Sequence, residues 1–490
     1  MYFSSLIFLF LYLPIVILGY YMIPWKFRNL FLLLVNLVFY GWGEPVFILI
    51  MAISVVTNYI CGLFIDKYRN NEHLSRMFVV VSVVISLGLL GIFKYTNFLT
   101  GLLRQIPFLS MLPKTNIALP IGISFYTFQA MSYTIDVYRN DTKVQKSLIN
   151  FGTYVSFFPQ LIAGPIVRYK TIDQELFSGE PRRPELAEGV SRFAAGLAKK
   201  VLLANPCGAL AETMILADSV AADPAMFAEN VEYLSSMPVL GAWLGVAAYT
   251  LHIYLDFSAY SDMAIGMGRM LGLHYLENFN YPYISRSVTE FWRRWHMSLG
   301  TFFRDYVYIP LGGNRGSKLR VVFNTFVVWA LTGLWHGASW NFVLWGLWFF
   351  VFLMIERSFL KKFLDKVPVV SNLYALIVAM LGWVLFRFTD LRLVWVLVKS
   401  LFGANGNVFS DFGTTIQLQS HSILLLVAAV GSTPLVKVLG EKIGLYTSDH
   451  GKLEKAWNVL VYSILPVVLL LLATANLVGD SYNPFIYFQF

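Results

Sequence analysis

Charge is scarce in this sequence. Only 13% of its 490 residues are Asp, Glu, Lys or Arg, about half the ~25% of an ordinary soluble chain. With 57% hydrophobic residues, there is more apolar surface than a water-soluble core of this length can hide, and a bilayer is the natural solvent. Cysteine is scarcer still: Cys61 and Cys207 stand alone in apolar surroundings, which excludes a disulfide framework and a CxxC redox or zinc motif. The seven histidines form no HExxH and no cluster at ligand spacing, so no metal site is expected. GxSxG and P-loop motifs are missing, and the glycines of GMGRMLG at 266–272 have no strand before them to make a nucleotide fold. No internal repeat is visible, which argues against a transporter built from repeated halves. The net charge of +9 is spread over short loops, the pattern of cytoplasmic Lys and Arg setting orientation, and points away from nucleic acid.

What is present is a succession of apolar runs. The opening MYFSSLIFLFLYLPIVILGYY lacks a basic n-region and a cleavage site and reads as a retained first span. Further runs lie at 30–43, 46–65, 77–93, 117–137, 237–255, 321–355, 369–388, 421–440 and 457–478. Basic residues between them alternate in side, which puts both termini outside the cytoplasm. SFFPQLIAGPIVRY, short and broken by Pro159, Gly164 and Pro165, reads as a re-entrant piece. From 201 to 268 there is no Lys or Arg, and Glu212, Asp218, Asp223, Glu229 and Glu232 fall within this stretch; it is expected to be external. The polar DFSAYSD after residue 255 contains Asp256 and Asp262, which are expected to pair with basic or polar neighbours.

Residues 281–350 carry the chemistry-bearing pattern. Ser287-Val288-Thr289-Glu290 fits a helix-capping box, and Glu290 stands four residues before Arg294, a favourable ion-pair spacing. A helix continuing from there places Trp292, Trp295, His296 and Leu299 on one face, along the cytoplasmic surface. Residues 321–355 then contain no charged side chain. As one helix they would extend roughly 50 Å, against about 30 Å of hydrocarbon. The weak point is TGLWHGASWN, so two helical pieces are expected to meet near His336. An ionisable residue at such a break is a functional candidate. The competing reading for either histidine is a plain hydrogen bond between helices.

WRRWHMSLGTFFRDYVYIPLGG followed by NTFVVWALTGLWHGASWNFVLWG resembles the signature of the membrane-bound O-acyltransferases (MBOAT). LPIGISFYTFQAMSYTIDVYR, FFPQLIAGPIVRY and YLDFSAYSDMAIGMGRMLG extend the likeness over nearly the whole chain. The resemblance favours the bacterial alginate O-acetylation branch over the related D-alanyl transfer branch. It implies an all-α polytopic membrane protein, a single transmembrane domain over 1–490 with roughly eleven or more spans and short re-entrant or interfacial helices around a central tunnel. It implies that His336 is the catalytic base and His296 the second characteristic histidine. Ser339, Asn341, Trp335 and Trp295 are the candidates for the tunnel wall or for stabilising an oxyanion. Helix packing is the competing explanation for Ser339 and Asn341. Arg293, Arg294, Arg304 and Arg315 are candidates for the phosphates of a cytoplasmic donor, acetyl-CoA, which is a substrate rather than a bound cofactor; the positive-inside bias, which needs no ligand, is the competing explanation.

The chain ends FIYFQF, residues 485–490. These aromatics suit an interfacial anchor. The resemblance implies more: Tyr487 as an acyl carrier that hands the group to an extracellular SGNH-type acetyltransferase and thence to a polysaccharide or peptidoglycan acceptor. The expected setting is the lipid of a bacterial inner membrane, in alginate biosynthesis or at the cell wall. D-alanyl transfer to teichoic acid from a carrier-protein thioester, and transport without bond-making, are the alternatives.

Overall fold

The computed structural model describes residues 1–177, 185–216, 224–479 and 485. All regular structure among them is helical. Among the described residues, seven helices are long and apolar enough to cross a bilayer: Ile48–Lys67, Glu72–Leu103, Val239–Met270, Trp340–Leu364, Pro368–Arg387, Phe412–Gly431 and Gly451–Gly479. The protein is a multi-pass membrane protein. A shorter apolar helix, Phe8–Met22, accompanies the seven; this tally does not confirm the roughly eleven spans anticipated.

The chain divides into two compact units, Met1–Ala195 with Tyr260–Glu277, and Gly196–Ala259 with Asn278–Phe490. In the first, Ile123–Tyr138 is buried along nearly its whole length, wrapped by Ile48–Lys67 and Glu72–Leu90. With no water to compensate them, polar groups here bond across helices. Ser82 donates to Asn58 Oδ1 at 2.6 Å and meets Thr134 at 2.8 Å, while Asn58 Nδ2 donates to Ser86 at 3.1 Å. The segment expected to be re-entrant, 156–169, follows the helix Leu148–Ser156 and holds one short helix, Phe158–Leu161, and every residue from 151 to 167 is buried. That satisfies the rule that broken backbone at membrane depth must be covered by protein.

The run expected to end at 255 continues as one helix, Val239–Met270, here α1. Its polar residues do not stop it because each acid finds a cation. Asp256 lies 2.6 Å from Lys200, both almost fully buried. Asp262 accepts from Arg192 at 2.8 Å, and the same guanidinium reaches Glu277 at 2.6 Å. Part of the stretch expected to be an external loop is also helical, Pro224–Ser236, while Asp218 and Asp223 lie outside the described residues.

The second unit contains the segment of interest. It comprises α2 (Val288–Arg294), α3 (Met297–Phe303), α4 (Lys318–His336), α5 (Trp340–Leu364) and α6 (Pro368–Arg387). The break near His336 is where the length argument placed it. α4 and α5 pack so closely that a Cβ on Gly333 would strike the Phe342 carbonyl, and one on Gly346 the Trp329 carbonyl. Only glycine permits this backbone approach. It fixes His336, one turn beyond Gly333, against α5.

Candidate functional site

Ser287 caps α2 by accepting from Glu290 N at 3.0 Å, as expected. Glu290 serves both roles foreseen for it: it accepts from Arg286 N at 2.9 Å and from Arg294 Nε at 2.9 Å. A second cap comes from a residue that sequence spacing did not suggest. The buried Glu356 carboxylate on α5 accepts from Val288 N (2.5 Å), Thr289 N (3.0 Å) and Thr289 Oγ1 (2.7 Å). A carboxylate suits the positive end of a helix, and this one ties α2 to α5. Glu356→Gln keeps the shape but aims amide hydrogens at those donors. The expected cost is about 1–3 kcal/mol, read as a lower thermal midpoint in detergent.

The single amphipathic helix expected through His296 does not form. Trp295 turns extended, and His296 adopts the left-handed conformation, φ 45° and ψ 52°. The cause lies eighteen residues upstream. The Asn278 backbone carbonyl accepts from Met297 N at 2.9 Å, and its side-chain oxygen accepts from Ser298 N at 3.1 Å and Ser298 Oγ at 2.8 Å. These acceptors replace the carbonyls of the preceding turn. The three aromatic residues therefore diverge. Trp292 packs against Trp329, Trp345 and Phe349, Trp295 against Phe291 and Trp383, and His296 meets Phe257 edge-on at 4.8 Å.

His296 lines a cavity of about 800 Å³, shared with Trp292, Met297, Thr332, Trp329 and Met354. Burial depresses the pKa of His296 to about 3, so the imidazole is neutral at physiological pH. Below the ordinary value near 6.5 the unfolded chain takes the proton that the folded one refuses, and this contribution lowers stability as pH falls.

His336 is buried at the end of α4 and is packed edge-to-face by Trp335 (4.9 Å), Trp345 (4.8 Å) and Phe386 (5.2 Å). Trp335 also meets the His296 ring at 5.9 Å. One indole therefore touches both candidate imidazoles, which the sequence separates by forty positions. Ser339 and Asn341, next in sequence, bond to each other, and Asn341 Nδ2 donates to Leu385 O at 3.2 Å. These bonds fix the start of α5 against α6. Trp295 is buried but is not part of the cavity wall.

The four arginines separate. Arg293 and Arg304 line the cavity. Arg294 is paired with Glu290 and donates to Asn280 O, and Arg315 is exposed on the turn beyond, outside the lining. Two further cations join the wall, Arg357 and Lys361, from the turns of α5 that follow the uncharged run. A π-helical turn over Arg304–Tyr308 and another over Glu356–Leu360 bring these side chains to the rim; such turns recur at functional sites. Tyr308 and Arg357 both donate to Asn314 Oδ1, at 2.7 and 3.3 Å. Tyr487 lies outside the described residues. No cluster of His, Cys, Asp or Glu suited to a metal occurs among the described residues.

The model of the MBOAT, membrane-bound O-acyltransferase family matches residues 34–391. The chain is 38% identical over its full length, and the full length of the relative, to a protein of Azotobacter vinelandii named probable alginate O-acetylase AlgI. This chain belongs to the membrane-bound O-acyltransferase family. Two further relatives of this O-acyltransferase show its range. The peptidoglycan O-acetyltransferase of Helicobacter pylori is 31% identical over 82% of this chain and 80% of its own. The teichoic acid D-alanyltransferase of Bacillus subtilis is 27% identical over 52% of this chain and 62% of its own. As an O-acyltransferase the protein makes an ester, which requires a base for a hydroxyl proton and a setting that excludes water.

Proposed function

We propose that this enzyme takes an acetyl group from a thioester donor on the cytoplasmic side and moves it across the inner membrane for O-acetylation of an exported or cell-wall polysaccharide. The observation that carries this reading is likeness along the entire length to alginate O-acetylases, where the D-alanyltransferases match only about half the chain.

A hydroxyl oxygen attacks the thioester carbonyl as His336 takes the hydroxyl proton. The tetrahedral adduct then collapses, the C–S bond breaks, and the thiolate leaves with that proton, regenerating neutral imidazole. Acetyl-CoA suits the donor cavity because Arg293, Arg357 and Lys361, together with Arg304, whose guanidinium is shared with Asp305 at 2.7 Å, supply the positive charge its phosphates require. His296 borders that cavity, and Trp335 links it to His336. Both termini are assigned to the outer side, where Tyr487 would accept the group as a phenyl ester, more activated than an alkyl ester. An extracellular SGNH-type partner would then move it to the polymer.

Chemical analysis of the polymer with and without the gene tests the reading. Loss of O-acetyl esters supports it, whereas loss of D-alanyl esters with acetyl unchanged favours teichoic acid as the acceptor. For the relay, a C-terminal peptide from cells lacking the downstream partner should carry an acetyl adduct on Tyr487 by mass spectrometry. A fully active Tyr487→Phe enzyme without any adduct removes that step.

A further inference from the structure

The contacts around Asn278 determine which nitrogen of His296 carries its proton. Asn278 is fully buried. One oxygen or nitrogen of its amide faces Ser298 N at 3.1 Å. A backbone N–H can only donate, so the facing atom is the amide oxygen, which fixes the orientation of the side chain. The same oxygen lies 3.2 Å from His296 Nδ1; Ser298 Oγ is also 3.4 Å from Nδ1, but its single hydrogen goes to the Asn278 oxygen at 2.8 Å. An amide oxygen can only accept, so Nδ1 must bear a hydrogen. Burial keeps the ring neutral, and a neutral imidazole has one N–H. The lone pair is therefore on Nε2, at the opposite edge of the ring.

The backbone reinforces this arrangement. The 278–280 segment runs beside 294–298: Met297 N donates to Asn278 O at 2.9 Å and Asn280 N to Arg294 O at 2.9 Å. His296 is held in a left-handed conformation that a non-glycine residue adopts rarely, with Phe257 edge-on to the ring and Phe279 tilted by 22° over it at 6.5 Å.

We infer that Asn278 is a positioning residue that locks His296 in the Nδ1–H tautomer, so that within the acyl-transfer site His296 acts through Nε2 as an acceptor and never as a donor. This rests on the reading above that His296 borders the acyl path. A wrong tautomer at a catalytic imidazole can leave geometry intact and still remove most of the rate. Within that path Nε2 can accept a hydrogen bond from the incoming hydroxyl or from an amide of the donor, while His336 takes the proton. It cannot hydrogen-bond an oxyanion, and that task falls to other groups.

The test uses full-length protein labelled with [15N]histidine in lipid. The His296 signals are assigned by their loss in His296→Gln, and transfer of labelled acetyl from acetyl-CoA is followed in parallel. The expected wild-type spectrum has a protonated Nδ1 and an unprotonated Nε2. Asn278→Ala, which keeps the backbone contacts, should give mixed tautomers and lower kcat by about tenfold or more, with the donor KM within about twofold. Asn278→Asp, which still accepts from Nδ1, should restore the tautomer and most of the rate. If the alanine variant does not accumulate, the aspartate variant decides alone: a retained Nδ1–H and rate support the assignment. A protonated Nε2 in wild type, or an unchanged kcat in Asn278→Ala, overturns it. Neither result would touch the role of His336, which fails separately if His336→Ala retains transfer.

Discussion

His336→Ala should lower acyl transfer by about 10²–10⁴-fold while the protein accumulates in the membrane at its normal level. The loss is chemical because the residue carries little of the fold. It is the last residue of α4, and the helix is held to α5 one turn earlier by the close approach at Gly333 and Gly346. The imidazole is enclosed by Trp335, Trp345 and Phe386, rings that exclude water from any thioester brought beside it. Removing the ring leaves that enclosure standing and takes away the group able to accept the hydroxyl proton. Transfer assays on membranes matched for protein content by immunoblot check the expectation. A variant with normal transfer would assign the base elsewhere.

The largest effect on stability should come from Lys200→Met. Lys200 and Asp256 are 2.6 Å apart and essentially inaccessible to solvent. Removing the cation strands a carboxylate in a low-dielectric interior, at a cost of about 3–5 kcal/mol. The Phe485 ring, 6.0 Å from Lys200 Nζ, loses its cation at the same time. The double variant Lys200→Met, Asp256→Leu should recover most of the loss, since replacing both partners by apolar groups is often neutral. Thermal unfolding of the purified variants in detergent reads both effects. Equal midpoints for the single and double variants would mean that the pair is not what α1 depends on.

These two sites also mark how much the sequence disclosed. The break at His336 was legible because it follows from length: thirty-five residues without a charged side chain cannot cross a bilayer once. The pairing of Asp256 and Asp262 was legible as a need, since an acid in an apolar setting must find a cation. Which cations they find, Lys200 and Arg192, depends on the fold. The same pairings explain why a polar stretch that looked like the end of a helix lies inside a longer one. The break at His296 was not legible. Periodicity favours one helix there, and the competing acceptors come from Asn278, which local patterning cannot place. Glu356 caps a helix that begins 68 positions earlier, and Arg357 and Lys361 look like ordinary charges after a membrane segment until π-helical turns bring the rim together. Ser339 and Asn341 stood out by their nearness to His336 in sequence, and their hydrogen bonds fix the start of α5 against α6.

Whether bonds are made at His336 within this multi-pass membrane protein is decided by turnover of the purified enzyme in lipid, supplied with acetyl-CoA labelled in the acetyl group and a hydroxyl acceptor. Free thiol and labelled O-ester should form in equal amounts in the wild type, and both should be lost in His336→Ala. Labelled ester formed equally well by His336→Ala, or labelled compound that crosses the membrane with its thioester intact, would contradict bond-making at His336.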